Sequence, residues 1–512
     1  MPLGEVLSVQ RGTALQEVLF AHGVEFPCGG HGRCHGCRIK VLEGTLPESA
    51  EDRRELSAAE LAAGWRLACR GRAVTNLRIE LAQWHAAILA DNSRFAFTPR
   101  DGWGVAVDVG TTTLAAQLLD LRTGDVLAVC TALNAQAEHG ADIMSRAEYA
   151  VASQGQSILG KQIREQVGGM IRELLAAGRL GQASRRSHDA GLGGAEGGEG
   201  PIRSVVLVGN TVMHHLFCGL RLEPLSHAPF EPSSPGVQEC SANDLGWAIP
   251  GNPPVRFLPC LGGFVGSDIL AGVLATRLHE SDALEVLIDL GTNGEIALGN
   301  RQRILCASTA AGPAFEGARI SMGMRAATGA ISEVRAQDGR LHCHVLGHVT
   351  PRGICGSGLV DAVAAGLQLG KILPSGRLAE GDSLLLAAPV SLSAWDLREL
   401  QLAKGAIAAG VRVLLQEWGA TKGDVRRVYL AGAFGNYINQ GSARRIGLLD
   451  FPPEVMQPAG NTALWGAKVA LFASPDQQDV IPEILAKTQH VSLNETLHFH
   501  DIYVEEMTFP DH

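Results

Sequence analysis

One short pattern occurs twice in this chain, and it limits the folds open to everything around it. Val105-Ala106-Val107-Asp108-Val109-Gly110-Thr111-Thr112-Thr113-Leu114 runs from β-branched residues through an Asp-x-Gly-Thr turn into a second apolar run. Val286-Leu287-Ile288-Asp289-Leu290-Gly291-Thr292-Asn293-Gly294-Glu295-Ile296 does the same. Strand, polar glycine turn and strand read as a β-hairpin rather than a strand-to-helix phosphate loop. Each copy continues as a meander, turning at Thr123-Gly124 into 126–133 and at Gly299-Asn300 into 304–308. Self-similarity of this kind predicts two related lobes facing each other. The turn glycine lets backbone N–H groups approach an anion, and the Thr hydroxyls add donors. The Asp can reach a divalent cation that bridges phosphates. A single turn of this type is more often a polar hairpin tip; the repeat is what favours a nucleotide clamp. Asp108 and Asp289 are therefore expected to be the catalytic pair. Gly110, Thr111, Thr112, Thr113, Gly291, Thr292, Asn293, Gly294 and Glu295 are expected to bind the nucleotide.

Further along, Tyr429-Leu430-Ala431-Gly432-Ala433-Phe434-Gly435-Asn436 is a strand ending in a glycine elbow. It places Gly432, Ala433, Phe434 and Gly435 against an adenosine. A buried strand over 202–208 ends in Gly209-Asn210-Thr211, which turns Asn210 toward the nucleotide. The small residues around Gly312 and Pro313 indicate close backbone approach to a ligand. Asp-Gly-Thr, Asp-Gly-Thr and Gly-x-x-Gly, in that order, resemble the acetate and sugar kinase, Hsp70 and actin superfamily. The resemblance implies an α/β fold, a two-lobed ribonuclease H-like ATPase that takes ATP with Mg²⁺.

The first eighty residues carry a different chemistry. Cys28, Cys34 and Cys37 have the spacing C-x5-C-x2-C on a glycine-rich loop, and Cys69 follows after 31 intervening residues. Three cysteines on such a loop can wrap an inorganic cluster, with backbone N–H groups aimed at the sulfurs. A structural zinc site is the alternative, but zinc modules usually pair their cysteines as two short knuckles, and Cys69 has no such neighbour. The set resembles a [2Fe–2S] ferredoxin domain of β-grasp fold, with the five-residue first gap of the adrenodoxin-like branch. The other seven cysteines show no ligand spacing.

With a net charge of −10 and scattered basic residues, the chain lacks the basic face a nucleic-acid partner requires. No apolar run reaches the roughly 18 residues that span a bilayer, and no export signal is visible, so a cytoplasmic location is expected. The expected order is a ferredoxin-like domain over residues 1–82, a linker over 83–103 and a first ATPase lobe over 104–201. That lobe would end in a disordered Gly-rich insert at 181–201. A second lobe with the adenosine region follows over 202–475, then a C-terminal tail over 476–512. Between the first meander and its helices lies Asn134-Ala-Gln-Ala-Glu-His-Gly140-Ala-Asp142-Ile-Met-Ser-Arg146. Asp142 there either faces the cleft or starts a helix.

A ferredoxin domain fused to such an ATPase resembles the reductive activators of corrinoid-dependent methyltransferases and O-demethylases. Besides the cysteines and both Asp-Gly-Thr turns, the resemblance rests on Val208-Gly-Asn210, Ala310-Ala-Gly-Pro-Ala-Phe-Glu-Gly317, Gly353-Ile-Cys-Gly-Ser-Gly358, Gln401-Leu-Ala-Lys-Gly-Ala406 and Gly432-Ala-Phe-Gly435. It implies an ATP-hydrolysing electron-transfer protein that passes one electron from a [2Fe–2S] cluster to an inactive Co(II) corrinoid protein, restoring Co(I) for methyl transfer. The partners implied are that corrinoid protein and an upstream low-potential electron donor, with a homodimer left open. Two other functions fit the same motifs: a small-molecule kinase with a regulatory Fe–S domain, and an ATP-driven donor to another low-potential enzyme.

Overall fold

The N-terminal unit is built on β1 (Arg38–Glu43), whose two edges pair antiparallel with β2 (Trp65–Leu67) and β3 (Arg78–Leu81). Leu15 and Leu19 of the helix Leu15–Ala21 share a core with Ile39, Leu67 and Ala68. The helix Ala50–Glu55 starts at a Ser49 capping box, and the buried Asp52 also accepts from the backbone N of Leu67 at 2.7 Å. That carboxylate ties the helix to the strand that leads to Cys69. This computed structural model describes residues 7–21, 32, 37–81, 97–140, 142–152, 155–188, 201–317, 319–326, 329–346, 349–435, 437–473, 480–496 and 498–511.

The two repeated hairpins occupy equivalent places in two six-stranded sheets. The first contains β4 (Trp103–Val109), β5 (Thr113–Asp120), β6 (Val126–Leu133), β7 (Ile202–Val208), β8 (Gln238–Ser241) and β9 (Pro254–Phe257), in the order β6-β5-β4-β7-β9-β8. The second contains β10 (Leu284–Leu290), β11 (Gly294–Gly299) and β12 (Ile304–Thr309). Two small sheets, β13 (Ala330–Gln337) with β14 (Arg340–Val345) and β15 (Gly353–Ile354), and β16 (Ser383–Ala387) with β17 (Val390–Ser393), interrupt its sequence. It is completed by β18 (Val425–Ala431), β19 (Met456–Gly460) and β20 (Thr488–His490), in the order β19-β18-β10-β11-β12-β20. In both, an antiparallel meander is followed by two parallel strands, as the repeat predicts. The central strands β4 and β10 are apolar almost throughout because both of their faces are covered.

Three expectations are corrected here. The lobe boundary at 201/202 fails because β7 pairs in parallel with β4, Val105 opposite Val205. A buried strand does not announce which sheet it joins, and residues through β9 belong to the first lobe. The insert at 181–201 is helical at its start, since the helix Gly155–His188 runs through it; residues 189–200 lie outside the described residues. The C-terminal segment carries the expected strand, β20, which extends the second sheet, and adds the helix Phe499–Met507, which lies against the helix Ala394–Trp418. Gln401 and the buried Lys404 of the latter donate to the carbonyls of Met507 and Thr508, which explains the polar residues of the 401–406 motif. Of the linker expected over 83–103, residues 83–96 lie outside the described residues, and 97–103 are packed on the ATPase half. Phe97 packs on Phe472 at 4.7 Å, Arg100 Nη2 donates to the Leu471 carbonyl at 2.5 Å, and Trp103 already begins β4. No helix among the described residues is long and apolar enough to cross a membrane.

Two helices lie between the sheets and cross over. Ser267–Thr276 follows the first sheet but packs on β10 and β11. Thr462–Phe472 follows β19 but packs on β4 and β7. They touch where a Cβ on Gly466 would meet the Ala271 carbonyl at 1.9 Å, so only glycine allows the crossing.

Candidate functional site

Asp108 and Asp289 are each the last but one residue of their strand, and each has a parallel neighbour ending beside it. Asp108 lies opposite Val208, one residue before Gly209-Asn210; Asp289 lies opposite Ala431, one residue before Gly432. Gly432 has φ +81°, and a Cβ there would meet Asp289 Oδ1 at 2.5 Å. The glycine elbow is therefore what gives the Asp289 carboxylate its room. Gly110 serves its own turn, where a Cβ would meet the Thr113 carbonyl at 2.3 Å.

The crossed helices bring each lobe's helix start to the other lobe's aspartate. Asn461, which caps Thr462–Phe472, donates from Nδ2 to Asp108 Oδ2 at 2.9 Å. Asp268, in the first turn of Ser267–Thr276, faces Asp289. Glu295 is the cross-strand partner of Asp289. The cluster is thus asymmetric. Burial lifts the Asp108 carboxyl to about 6, and the Asn461 amide works against that rise. Burial, then the Asp108 charge, lifts Asp289 to about 7. Burial, then Asp289, lifts Asp268 to about 8, and Glu295 is pushed well above its ordinary range by burial and both aspartates. Four carboxyls are packed here with no cationic side chain against them among the described residues, an arrangement that is costly while they are ionised. Among the described residues no three of these groups converge on one metal position.

Sequence reasoning named Asp108, Asp289 and Glu295 but missed Asp268 and Asn461, which read only as a glycine turn and a helix start. It also missed Glu316, whose Oε1 accepts from Thr292 Oγ1 at 2.5 Å. Thr292 Oγ1 lies 3.0 Å from Thr112 Oγ1, so the tips of the two hairpins touch across the cleft. Asn210 bridges the lobes as well: Oδ1 caps its helix through Val212 N, while Nδ2 donates to the Phe264 carbonyl and lies 3.5 Å from Glu295 Oε1. Phe434 stacks on Phe315 at 4.6 Å, the residue two beyond Pro313 in the turn opened by Gly312, which has φ +76° and open space where a Cβ would stand. Gly291 and Asn293 complete the second turn, and Thr111 sits in the first. Thr113 is exposed at the start of β5, and a Cβ on Gly294 would meet Ile407 at 2.6 Å, so that glycine serves packing. The Ala433 side chain lies outside what the structure describes. Asp142 caps the helix Ile143–Val151 through a capping box with Ser145.

A carboxyl raised in the folded state ionises first in the unfolded chain. The stability these groups contribute is present below about pH 4 and is lost as pH rises through about 6 to 8. The Tm of the metal-free protein is expected to fall over that interval, and Mg²⁺ with nucleotide to raise it more at pH 8 than at pH 5.5. Asp268→Asn should flatten the dependence. Equal stabilisation by Mg²⁺ and nucleotide at both pH values would separate the cluster from cation binding.

At the other end of the chain, Cys37 is buried at the start of β1 and Cys69 lies in the 3₁₀ turn Ala68–Arg70. The backbone N of Ala68 donates to the Cys37 carbonyl at 2.9 Å, so the sheet brings together two cysteines that are distant in sequence. Cys28 and Cys34 lie outside the described residues.

Comparison with known proteins agrees with this division. Residues 2–74 match the 2Fe-2S iron-sulfur cluster binding domain, 103–185 with 193–281 match the RACo middle region, and 283–512 match the C-terminal domain of RACo, the ASKHA domain. The corrinoid activation enzyme RamQ of Eubacterium limosum is 34% identical over 80% of this chain and 70% of its own length. The [Co(II) methylated amine-specific corrinoid protein] reductase of Methanosarcina barkeri is 27% identical over 80% of this chain and 77% of its own. A solved reductive activator for corrinoid, iron-sulfur protein superposes with a TM-score of 0.67 at 26% identity, covering 98% of this chain and 96% of that one.

Proposed function

This chain belongs to the RACo family of reductive activators, and from that membership we propose that it returns a Co(II) corrinoid protein to Co(I) at the expense of ATP. The observation that carries the proposal is the joining, in one chain, of paired cysteines on a ferredoxin sheet with a two-lobed carboxylate cleft.

Cys28, Cys34, Cys37 and Cys69 would hold a [2Fe–2S] cluster, which supplies single electrons at about −400 mV in plant-type domains. A protein-bound Co(II) corrinoid can lie lower than that, and each 100 mV uphill costs about 2.3 kcal/mol per electron. ATP must therefore act through a change of state, not through a new bond to phosphate. Asp108, raised by burial to about 6 with the Asn461 hydrogen bond opposing the rise, is suited to hold Mg²⁺ on the polyphosphate. Asp289, the more basic of the pair, is suited to take a proton from the attacking water. The Thr112–Thr292 contact is what a polyphosphate would replace, so binding and release reshape the lobe contact and, with it, the grip on the corrinoid partner.

The test mixes the reduced protein with Mg·ATP and a Co(II) corrinoid protein and follows the visible spectrum of the cobalt. Co(I) bands that depend on ATP are expected, from a protein carrying about two iron and two sulfide per chain. Phosphorylation of a sugar or acid without Co(I) formation would favour a kinase. Repeated Co(I) formation without nucleotide, or zinc in place of iron, would overturn the proposal.

A further inference from the structure

Near the first hairpin turn, outside the carboxylate cluster, lies a buried arginine. Arg146 is 0% exposed, on the helix capped by Asp142. Its Nε donates to the Gly140 carbonyl at 2.9 Å, and Nη1 reaches Gln136 Oε1 at 3.5 Å and Met213 Sδ at 3.8 Å. Nη2 is buried with no hydrogen-bond partner, and no carboxylate lies within ion-pair distance of the guanidinium among the described residues. Asp142, its acidic neighbour, spends its Oδ1 on Ser145. Gly140 makes the burial possible, since a Cβ there would meet the Arg146 backbone N at 2.9 Å and Cγ at 3.0 Å.

One residue links this cation to the phosphate turn. Asn134 donates from Nδ2 to the Gly110 carbonyl at 2.9 Å and from its backbone N to the Thr112 carbonyl at 2.9 Å. Its Nδ2 is also 3.9 Å from Met213 Sδ, the atom Arg146 touches from the other side. Near the turn that carries Gly110, Thr111 and Thr112 the chain thus holds a buried guanidinium that feels the charge of Asp142 but forms no ion pair. A buried charge without an ion-pair partner lowers stability, and the chain keeps one here.

Resting on the ATPase reading above, we propose that Arg146 is a positioning residue for the polyphosphate: it supplies fixed positive potential to the anion on the 110–113 turn, across Met213 and Asn134 and without touching the ligand. In a poorly hydrated setting such a charge acts at a distance of several ångströms. Its effect must grow with the charge of the ligand.

The experiment compares Arg146→Met and Arg146→Lys in the full chain, titrated with a non-hydrolysable ATP analogue, ADP and adenosine in the presence of Mg²⁺. Arg146→Met should bind the triphosphate about tenfold more weakly and ADP about threefold, with adenosine unchanged. Its Tm should stay level or rise, since an unpaired buried charge is gone. Arg146→Lys should keep most of the triphosphate affinity. Equal losses for all three ligands, no loss for any, or a Tm lowered by about 10 °C in both variants would make the arginine structural and overturn the proposal. If the wild-type chain binds none of the ligands, the ATPase reading fails instead.

Discussion

Asp289→Ala is expected to abolish ATP hydrolysis, lowering kcat by about 10³-fold or more, while the cluster spectrum stays as in the parent chain. Asp289 sits where three features meet: the end of β10, the room left by Gly432 and the facing carboxyls of Asp268 and Glu295. No neighbour can replace it, because Asp268 belongs to a helix from the other lobe and Glu295 hangs from the adjacent strand. Removing one carboxyl from a like-charged group also lowers the repulsion on the others. The metal-free variant should therefore melt no lower than the parent, and at pH 8 somewhat higher. Loss of activity with retained or raised stability is the signature of a residue kept for chemistry. Full ATPase activity in Asp289→Ala would remove it from the mechanism.

The second large effect concerns the join between the halves. Cutting the chain between Leu81 and Phe97 should leave a fragment with a reducible cluster and another that binds nucleotide. The mixture should nevertheless form Co(I) at least about tenfold more slowly than the intact chain at micromolar concentrations. A short tether supplies an effective concentration of order millimolar, and the fragments lose it. The cut must fall before Phe97, because Phe97 and Arg100 are already docked on the ATPase half. A mixture as fast as the intact protein would show that the fusion is not needed for coupling.

The parts of this molecule that repeat, or that carry unusual residue spacing, could be read from the sequence. The two hairpins and their meanders follow from local pattern. What could not be read depends on which elements cross. Asp268 and Asn461 look like ordinary helix starts, and nothing local shows that each reaches the opposite lobe's aspartate. For the same reason β7 was assigned to the wrong lobe. Gly294 misled in the other direction, since its place in a phosphate-like turn hides the Ile407 side chain that excludes any Cβ. Arg146 was visible only as one letter of a motif, and its burial without an acid is a property of the packed structure.

The helix Thr462–Phe472 has work at both ends. Asn461 at its start holds Asp108, and Leu471 and Phe472 at its finish hold the strap from the cluster domain. Eleven residues make a rod of about 16 Å. A helix of that length is stiff along its axis, so a displacement of Asn461 when the carboxylate changes partner arrives at Phe97 with little damping. The phosphate-site carboxylate and the strap that comes from the cluster domain are therefore held at the two ends of one stiff element.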